Sequence, residues 1–265
     1  MKEWMFCCPV CKGALVGDSV AKCPSGHCFD VARQGHINLL RSNAKGKRHG
    51  DDGAMVQARS RFLDKGYYAP LRDKIKEVLG TGLYVLDSGC GEGYYTATLA
   101  EGNTLCGIDI SKDAVKVAAR RAPSCHFAVA SVGDIPLKDS SVDAVVCIFA
   151  PESDEFKRVL KEKGRLITVT PMERHLMELK GAVYDKPYLN PPVSTDKDGY
   201  IFKSGCEVKY TVTLDNNEDI EALFMMTPYY YKTGKSDQDK LKAVNSLSVS
   251  LEFFVSVYEK SPIAD

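Results

Sequence analysis

The distribution of apolar and polar positions along the chain predicts alternating strands and helices from Gly82 onward. Five short apolar runs are typical of buried strands, and an amphipathic helix with Ser111 as its N-cap follows the second run over residues 111–122. The five runs are LYVLDS (83–88), TLCGIDI (104–110), HFAVA (126–130), VDAVVCIFA (142–150) and GRLITVTP (164–171). Because strands alternate with helical segments, the pattern predicts a parallel sheet in an α/β fold.

The final third of the chain has a different pattern. The segments EVKYTVTL (207–214) and SLSVSLEFFVSVYE (246–259) alternate apolar and polar residues, as strands near a sheet edge do. Residues 216–226, between them, are typical of a capped helix. The interval 181–205 is rich in glycine and proline and is predicted to be an insertion loop.

Composition narrows the class of protein. The chain has 265 residues, of which 44% are hydrophobic and 26% charged, enough for one large domain with a small appendage. No apolar run approaches the roughly 18 residues that a membrane span needs, and the N-terminus lacks an apolar stretch of signal-peptide length. We therefore expect a soluble, cytoplasmic protein without membrane contact. Since the formal net charge is zero, nucleic-acid binding would require a local basic patch.

The first 28 residues contain a metal-binding pattern. The segments CPVC (8–11) and CPSGH (23–27) place Cys8, Cys11, Cys23 and His27 at the spacing of a four-ligand structural zinc site, which leaves no open position for catalysis. An all-cysteine set with Cys28 in place of His27 is the main variant. A redox CxxC motif or buried thiols are the remaining alternatives.

A glycine-rich loop follows the first predicted strand of the sheet. The segment VLDSGCGEGYYT (85–96) has the pattern G-x-G-x-G after Asp87, whereas a dinucleotide-binding loop has G-x-G-x-x-G. This pattern resembles motif I of class I, Rossmann-like, S-adenosylmethionine-dependent methyltransferases. The resemblance implies that Gly89 and Gly91 pass under the methionine moiety and that Asp109 accepts the ribose hydroxyls. Asp87 and Ile110 are the further cofactor-binding residues predicted at the ends of these two strands. A tight turn without a ligand is the structural alternative.

Further segments outside this core support a narrower resemblance. The zinc motif, FDVARQGHINLL (29–40), MVQARSRFLDKGYYAPLRD (55–73), LDSGCGEGYYT (86–96) and RHLMELKG (174–181) together resemble the guanine-N1 methyltransferases of bacterial 23S ribosomal RNA. The resemblance implies a zinc-binding module followed by a methyltransferase domain, methylation of a guanine in one hairpin, and a homodimer. It also implies that Tyr68, Gly91, Glu92 and His175 lie against S-adenosylmethionine. The four zinc-motif residues would bind Zn²⁺.

A basic segment joins the two predicted parts of the chain. Residues 33–61 contain seven Lys and Arg residues against two Asp residues, and Lys45, Lys47 and Arg48 lie at its centre. Phosphate is the natural complement of such a segment, although a solvated linker would have the same composition. We predict a zinc-binding module over 1–40, a basic linker over 41–66 and a methyltransferase domain over 67–265.

The reaction requires two further groups, a general base and an aromatic ring that stacks on the guanine. Guanine N1 carries a proton and lies on the pairing edge, so the base must be unpaired and its proton removed. Candidate bases are Asp87, Glu92, Asp134 and Glu152, which the sequence does not rank, and Asp134 is also a candidate contact of adenine. Phe149 is the first candidate for stacking on the guanine, and Tyr94 or Tyr95 is the next. A small-molecule methyltransferase and a noncatalytic zinc RNA-binding protein are the rival interpretations.

Overall fold

The computed structural model describes residues 1–41 and 50–262. Its N-terminal part is a four-stranded antiparallel sheet with its strands in sequential order. The strands are β1 (Glu3–Cys7), β2 (Ala14–Val16), β3 (Val20–Lys22) and β4 (Cys28–Asp30). The turns between β1 and β2 and between β3 and β4 carry the residues of the zinc motif.

The rest of the chain forms a larger, mixed sheet. Its strands are β5 (His36–Asn38), β6 (Tyr84–Ser88), β7 (Thr104–Asp109), β8 (His126–Val129), β9 (Val142–Ile148), β10 (Leu160–Pro171), β11 (Tyr200–Leu214) and β12 (Leu247–Lys260). They lie in the order β11-β12-β10-β9-β6-β7-β8-β5. Strands β5 to β10 pair in parallel, whereas β12 pairs antiparallel with both β10 and β11. The α/β fold with a parallel sheet is confirmed.

Eight α-helices accompany the strands in the described part of the chain. They are α1 (Gly53–Asp64), α2 (Ala69–Leu79), α3 (Tyr94–Leu99), α4 (Lys112–Arg121), α5 (Glu155–Val159), α6 (Met177–Val183), α7 (Asn217–Met225) and α8 (Lys235–Asp239). The side chains of Ser111 and Asn216 cap α4 and α7, as their sequences predict. None of the helices in these residues is long and apolar enough to cross a membrane.

The loop predicted over 181–205 is shorter than expected. Helix α6 extends to Val183, and β11 already begins at Tyr200. Residues 200–206 do not alternate regularly between apolar and polar side chains. Strand β12 nevertheless pairs with β11 along its whole length, with Tyr200 opposite Lys260 and Leu214 opposite Leu247. Pairing with β12 therefore extends the strand beyond its local sequence signal.

The N-terminal sheet packs directly on one face of the large sheet. Trp4, Phe6 and Leu15 belong to the same buried cluster as Leu86 of β6, and burying each such side chain contributes about 1.5–3 kcal/mol. The backbone N–H of Met5 also donates to His126 Nδ1 at 2.8 Å. Strand β5 then pairs with β8 at the edge of the large sheet, a strand that the sequence pattern did not predict. The predicted division of the chain at residues 40 and 66 stays a prediction.

The strand order creates a crevice beside β6. The chain continues from β6 to β7 and β8 on one side, whereas β9 and β10 lie on the other side. Loops that leave the carboxyl ends of β6 and β9 therefore diverge around a gap, which is where open α/β sheets bind their ligands. Both the glycine-rich loop and the segment Phe149–Glu152 lie at this edge.

Candidate active site and metal centre

Four side chains of the N-terminal sheet converge as a metal site would require. One ligand atom from each of Cys8, Cys11, Cys23 and His27 lies within 4.8 Å of the other three. The sulfurs of Cys11 and Cys23 are 3.4 Å apart, and His27 Nδ1 is 3.3 Å from Cys23 Sγ and 3.6 Å from Cys8 Sγ. Tetrahedral ligands at bond lengths of about 2.0–2.3 Å are separated by about 3.3–3.8 Å, so the set fits Zn²⁺.

Two tight turns hold these ligands in place. The N–H of Cys8 donates to the carbonyl of Gly13 at 2.8 Å, and the N–H of Cys23 donates to the carbonyl of His27 at 3.0 Å. Hydrogen bonds, the largest from Ser25, lower the pKa of Cys11 to about 6, which favours the thiolate that binds metals. Cys28 lies outside the cluster and its thiol is directed to the carbonyl of Gly26. The geometry therefore favours His27 over Cys28 as the fourth ligand.

The glycine-rich loop after β6 is built around two positions with different requirements. Gly89 has φ +76°, and a Cβ placed there would lie 2.3 Å from Ala150 Cβ, so the loop needs glycine to approach the segment after β9. Gly91 has φ +53°, but a Cβ there would meet no described atom within 4 Å. The space above Gly91 is open, as a ligand cradle requires.

Asp109, at the end of β7, is bonded to this loop. Its Oδ2 accepts the N–H of Gly91 at 3.0 Å, and its Oδ1 accepts the N–H of Ser111 at 2.8 Å. Burial raises the pKa of Asp109. Ile110 follows with an exposed apolar side chain. The roles predicted for Asp109 at the ribose hydroxyls and for Ile110 at the cofactor stay predictions.

Asp87 and Glu92 flank the glycines and are both buried. Thr96 Oγ1 donates to Asp87 Oδ2 at 2.5 Å, which ties the end of β6 to α3, and burial raises the pKa of Asp87 to about 7. Burial also raises the pKa of Glu92. Glu92 Oε1 has no hydrogen-bond partner among the described residues, and the guanidinium of Arg121 is 3.7 Å away. A buried carboxylate oxygen without a hydrogen bond is an unusual cost, which the long ion pair with Arg121 offsets in part and a cationic ligand group would offset further.

A cavity of about 710 Å³ lies beside the segment after β9, from which Phe149, Ala150 and Glu152 line it. It is lined by aromatic, proline and methionine side chains from five parts of the chain, and includes both Tyr68 and His175. The rings of Tyr68, Phe149 and His175 surround Phe253 of β12, with centroid distances of 5.4, 5.5 and 4.5 Å from it. Phe253 is fully buried behind these three cavity-lining rings and does not itself line the cavity. The structure thus brings together the predicted cofactor residues Tyr68 and His175.

The His175 ring is held in one protonation state and one orientation. Its Nδ1 accepts the N–H of Glu252 at 3.1 Å, so in the neutral ring Nε2 carries the proton and is a donor. Burial lowers the pKa of His175 to about 3. The side chain is therefore an uncharged hydrogen-bond donor at neutral pH.

Phe149 combines exposure with backbone strain. Its φ of +55° is in the left-handed region, which costs a bulky residue roughly 1–2 kcal/mol. Its side chain remains 44% exposed and lines the cavity. A strained and exposed aromatic at the end of β9 is a feature that folding alone does not favour, so it marks a functional position.

Other predicted residues lie away from the cavity lining. Tyr94 is buried and packs against the partly buried Tyr95, and neither ring lines the cavity. Asp134 pairs with Lys12 at 3.0 Å and so connects the large sheet to the N-terminal module. The predicted RNA-binding residues Lys45, Lys47 and Arg48 lie outside the residues that the structure describes.

The sequence interpretation missed two cavity-lining residues and one residue that supports the lining from behind. Asp51 and Arg59 form an ion pair at 2.7 Å, and both line the cavity from the start of α1. The Ser111 hydroxyl donates to the carbonyl of Asp51 at 2.7 Å, which anchors α1 beside Asp109. Phe253 is the third residue, and only its inward position in an alternating strand could have indicated it.

Two family models match the chain. A zinc ribbon model, described as RlmA, N-terminal, matches residues 6–48, and a methyltransferase domain model matches residues 85–168. The structure of the Bacillus halodurans protein BH2331, described as a "putative methyltransferase", superposes with a TM-score of 0.52 at 16% identity, covering 72% of this chain and 99% of that one. At this identity the likeness concerns the fold, which is that of the class I methyltransferases with an added N-terminal zinc ribbon.

Two named relatives show the family, one of them matched over almost its whole length. A Streptomyces fradiae protein named 23S rRNA (guanine(748)-N(1))-methyltransferase is 40% identical over 191 residues, which cover 66% of each chain. The Bacillus subtilis protein named "Putative 23S rRNA (guanine-N(1)-)-methyltransferase YxjB" is 32% identical over 276 aligned positions, covering 94% of each chain. This chain therefore belongs to the family of S-adenosylmethionine-dependent 23S rRNA (guanine-N1)-methyltransferases that carry an N-terminal zinc ribbon.

Proposed function

We propose that this protein transfers a methyl group from S-adenosylmethionine to N1 of a guanine in a hairpin loop of 23S ribosomal RNA. The observation that carries the proposal is the position of the cavity. The glycine-rich loop after β6 reaches it only through Gly89, which lies against the cavity-lining Ala150, whereas the strained, exposed Phe149 after β9 lines it directly. A cofactor at the first loop and a planar base against the second would meet at this edge of the sheet.

Three features of the described residues fit S-adenosylmethionine. The space above Gly91 is open, Asp109 presents a carboxylate for the ribose hydroxyls, and Glu92 has an oxygen that makes only a long ion pair with Arg121 and no hydrogen bond, which suits the ammonium group of the methionine moiety. Tyr68 and the Nε2–H of His175 line the adjoining cavity. When bound, the cofactor supplies an electrophilic methyl group, so the protein must position the acceptor and remove its proton.

Phe149 is the residue that we propose stacks on the substrate guanine. Stacking on an aromatic ring contributes about 1–3 kcal/mol per base in single-stranded complexes. The ring is partly exposed at the cavity and supported from behind by Phe253. Its left-handed backbone fixes the direction of the side chain. We expect Phe149→Ala to reduce methylation of RNA while leaving the affinity for S-adenosylmethionine nearly unchanged.

The zinc ribbon and the basic segment complete the proposed RNA-binding surface. We propose that Lys45, Lys47 and Arg48 contact phosphates, on the strength of their clustering in the sequence. Replacing all three with glutamine should then reduce the log–log salt slope of RNA binding by about 2, at about 0.7 per phosphate for single strands. Sequence preference should change little, because phosphate contacts position RNA without reading its bases. An unchanged slope would assign the segment to a solvated linker.

The experiment that tests the function compares ribosomal RNA from wild-type and deletion strains by mass spectrometry. Loss of one N1-methylguanosine from a 23S hairpin, and its restoration by the purified protein with S-adenosylmethionine, is the expected result. Unchanged RNA would favour a small-molecule substrate or a noncatalytic role. Because the substrate is ribosomal RNA, we also place the enzyme in the bacterial cytoplasm. The homodimer that the family resemblance implies can be tested by analytical ultracentrifugation.

A further inference from the structure

We propose that Glu152 is the general base that removes the N1 proton of the guanine, an inference that rests on the function proposed above. Glu152 follows β9 by four positions and lines the same cavity as Phe149 and His175. Its segment contacts the glycine-rich loop, since Ala150 occupies the position that a Cβ on Gly89 would need. Glu152 is thus held beside both the proposed base-stacking ring and the cofactor loop.

The structure separates Glu152 from the other carboxylates considered as bases. Asp87 and Glu92 are only 2% and 3% exposed, and neither lines the cavity. The Asp87 carboxylate already accepts the Thr96 hydroxyl. Asp134 also lies outside the cavity lining, in its ion pair with Lys12 of the zinc ribbon. None of these three can reach a base that enters the cavity.

Asp51 is the one other carboxylate that lines the cavity in the described part of the chain. Arg59 binds its Oδ2 at 2.7 Å, and the Ser111 hydroxyl holds its carbonyl. Ser111 also donates its N–H to Asp109, so Asp51 lies at the proposed ribose end of the site. This position suits cofactor binding better than proton removal from the methyl acceptor.

The contacts of Glu152 leave one carboxylate oxygen available. Lys197, from the loop between α6 and β11, binds Oε2, whereas no described donor reaches Oε1. The side chain of Glu152 is 45% exposed, and that of Lys197 is 20% exposed. The nearby ring of Tyr258 lies 5.3 Å from the Lys197 ammonium, which fixes the cation in place. Lys197 therefore orients the carboxylate with Oε1 free to accept a proton.

The proposed step is balanced as follows. Glu152 Oε1 takes the proton from N1, and the electron pair of the N1–H bond forms the new bond from N1 to the methyl carbon. The electron pair of the breaking carbon–sulfur bond remains on sulfur, and the protonated Glu152 later releases its proton to water. The same carboxylate favours guanine over adenine, because adenine N1 has no proton to donate and presents a lone pair instead.

The test compares Glu152→Gln with two matched variants in the full-length, zinc-loaded protein. With 23S rRNA as substrate, Glu152→Gln should lower kcat by about 100-fold or more, the usual contribution of a general base. Its affinities for S-adenosylmethionine and for RNA, measured by calorimetry and filter binding, should stay near those of the wild type. Glu152→Asp should recover part of the rate. Asp154→Asn, at an exposed carboxylate two positions away, should have wild-type kcat.

The pH profile distinguishes a base from a structural residue. The rate of Glu152→Gln should rise tenfold per pH unit as hydroxide takes over the proton removal, more steeply than the wild-type rate. The charged and titratable groups around Glu152 remain in both proteins. Cys147, Lys197 and Tyr200 interact with it, and Asp51, Arg59 and His175 line the same cavity. Asp51→Asn should weaken cofactor binding and keep the wild-type pH profile of kcat.

Two results would overturn the inference. One is a wild-type kcat in Glu152→Gln together with loss of kcat in Asp51→Asn, which would assign the proton removal to Asp51. The other is a reduced kcat with an unchanged pH profile, which would make Glu152 a structural residue. Failure of the proposed function is distinguishable from both, because the wild-type protein itself would then leave guanine N1 of 23S rRNA unmethylated.

Discussion

Replacing Gly89 with alanine should destabilise the protein much more than the same change at Gly91. Both residues have positive φ, so each alanine costs roughly 1–2 kcal/mol of backbone strain. Only at Gly89 does the new Cβ collide, at 2.3 Å from Ala150 Cβ, and such overpacking typically costs about 1–3 kcal/mol more. We therefore expect a loss of about 2–5 kcal/mol for Gly89→Ala and about 1–2 kcal/mol for Gly91→Ala.

The measurement is the free energy of unfolding in urea for the two single variants, for Ala150→Gly and for the double variant Gly89→Ala/Ala150→Gly. Removing the Ala150 methyl group should recover the collision energy, so the double-variant cycle should show a coupling of about 1–3 kcal/mol. The affinity for S-adenosylmethionine, measured by calorimetry, should show the opposite ranking. Gly91→Ala should weaken it more than Gly89→Ala, because Gly91→Ala keeps the fold but places a methyl group in the open cradle. Equal destabilisation by the two alanines, or no coupling to Ala150, would refute this account of the loop.

Three further predictions concern the metal, the cofactor and pH. Cys23→Ala should reduce the zinc content from about one ion per chain to none and unfold the N-terminal sheet, while the cofactor affinity changes little. Zinc retained at the wild-type level would contradict the assignment of Cys23 as a ligand. Asp109→Ala should weaken S-adenosylmethionine binding in calorimetry, because it removes the acceptor proposed for the ribose hydroxyls and frees the N–H of the glycine-rich loop. The pKa of His175 is about 3 in the folded protein, against about 6.5 when unfolded. The stability that its neutral ring contributes is complete above about pH 6.5 and is lost as the pH falls towards 3, by up to about 1.4 kcal/mol per pH unit. His175→Gln should therefore flatten the pH dependence of the free energy of unfolding in urea below about pH 6.5.

Local patterns in the sequence determined the elements and the two ligand-binding motifs. Apolar runs with period 2 and capped amphipathic segments predict strands and helices, because burial and capping act over a few residues. The zinc ligands are likewise confined to two short turns, so their spacing alone indicates their convergence. The strand–loop–helix order places Gly89, Gly91 and Asp109 at the ends of neighbouring strands, and the resemblance to class I methyltransferases implies their roles.

Tertiary structure decided which residues share the cavity. Gly89 meets Ala150 because β6 and β9 are neighbours in the sheet, although about 60 residues of chain separate the two loops. The same strand order places Glu152 at the cavity and leaves Asp134 beside the zinc ribbon, so sequence could not rank these carboxylates. Tyr94, which follows the glycine-rich loop directly, turns into the core instead.

Phe253 shows most clearly why the sequence does not determine which side chains a buried residue contacts. In the sequence it is one apolar position of an alternating strand, indistinguishable from its neighbours. In the structure the antiparallel pairing of β12 with β10 brings it against Tyr68, Phe149 and His175, three residues that are distant in the chain. Periodicity determines that such a residue is buried, whereas the side chains that it meets depend on strand order and register.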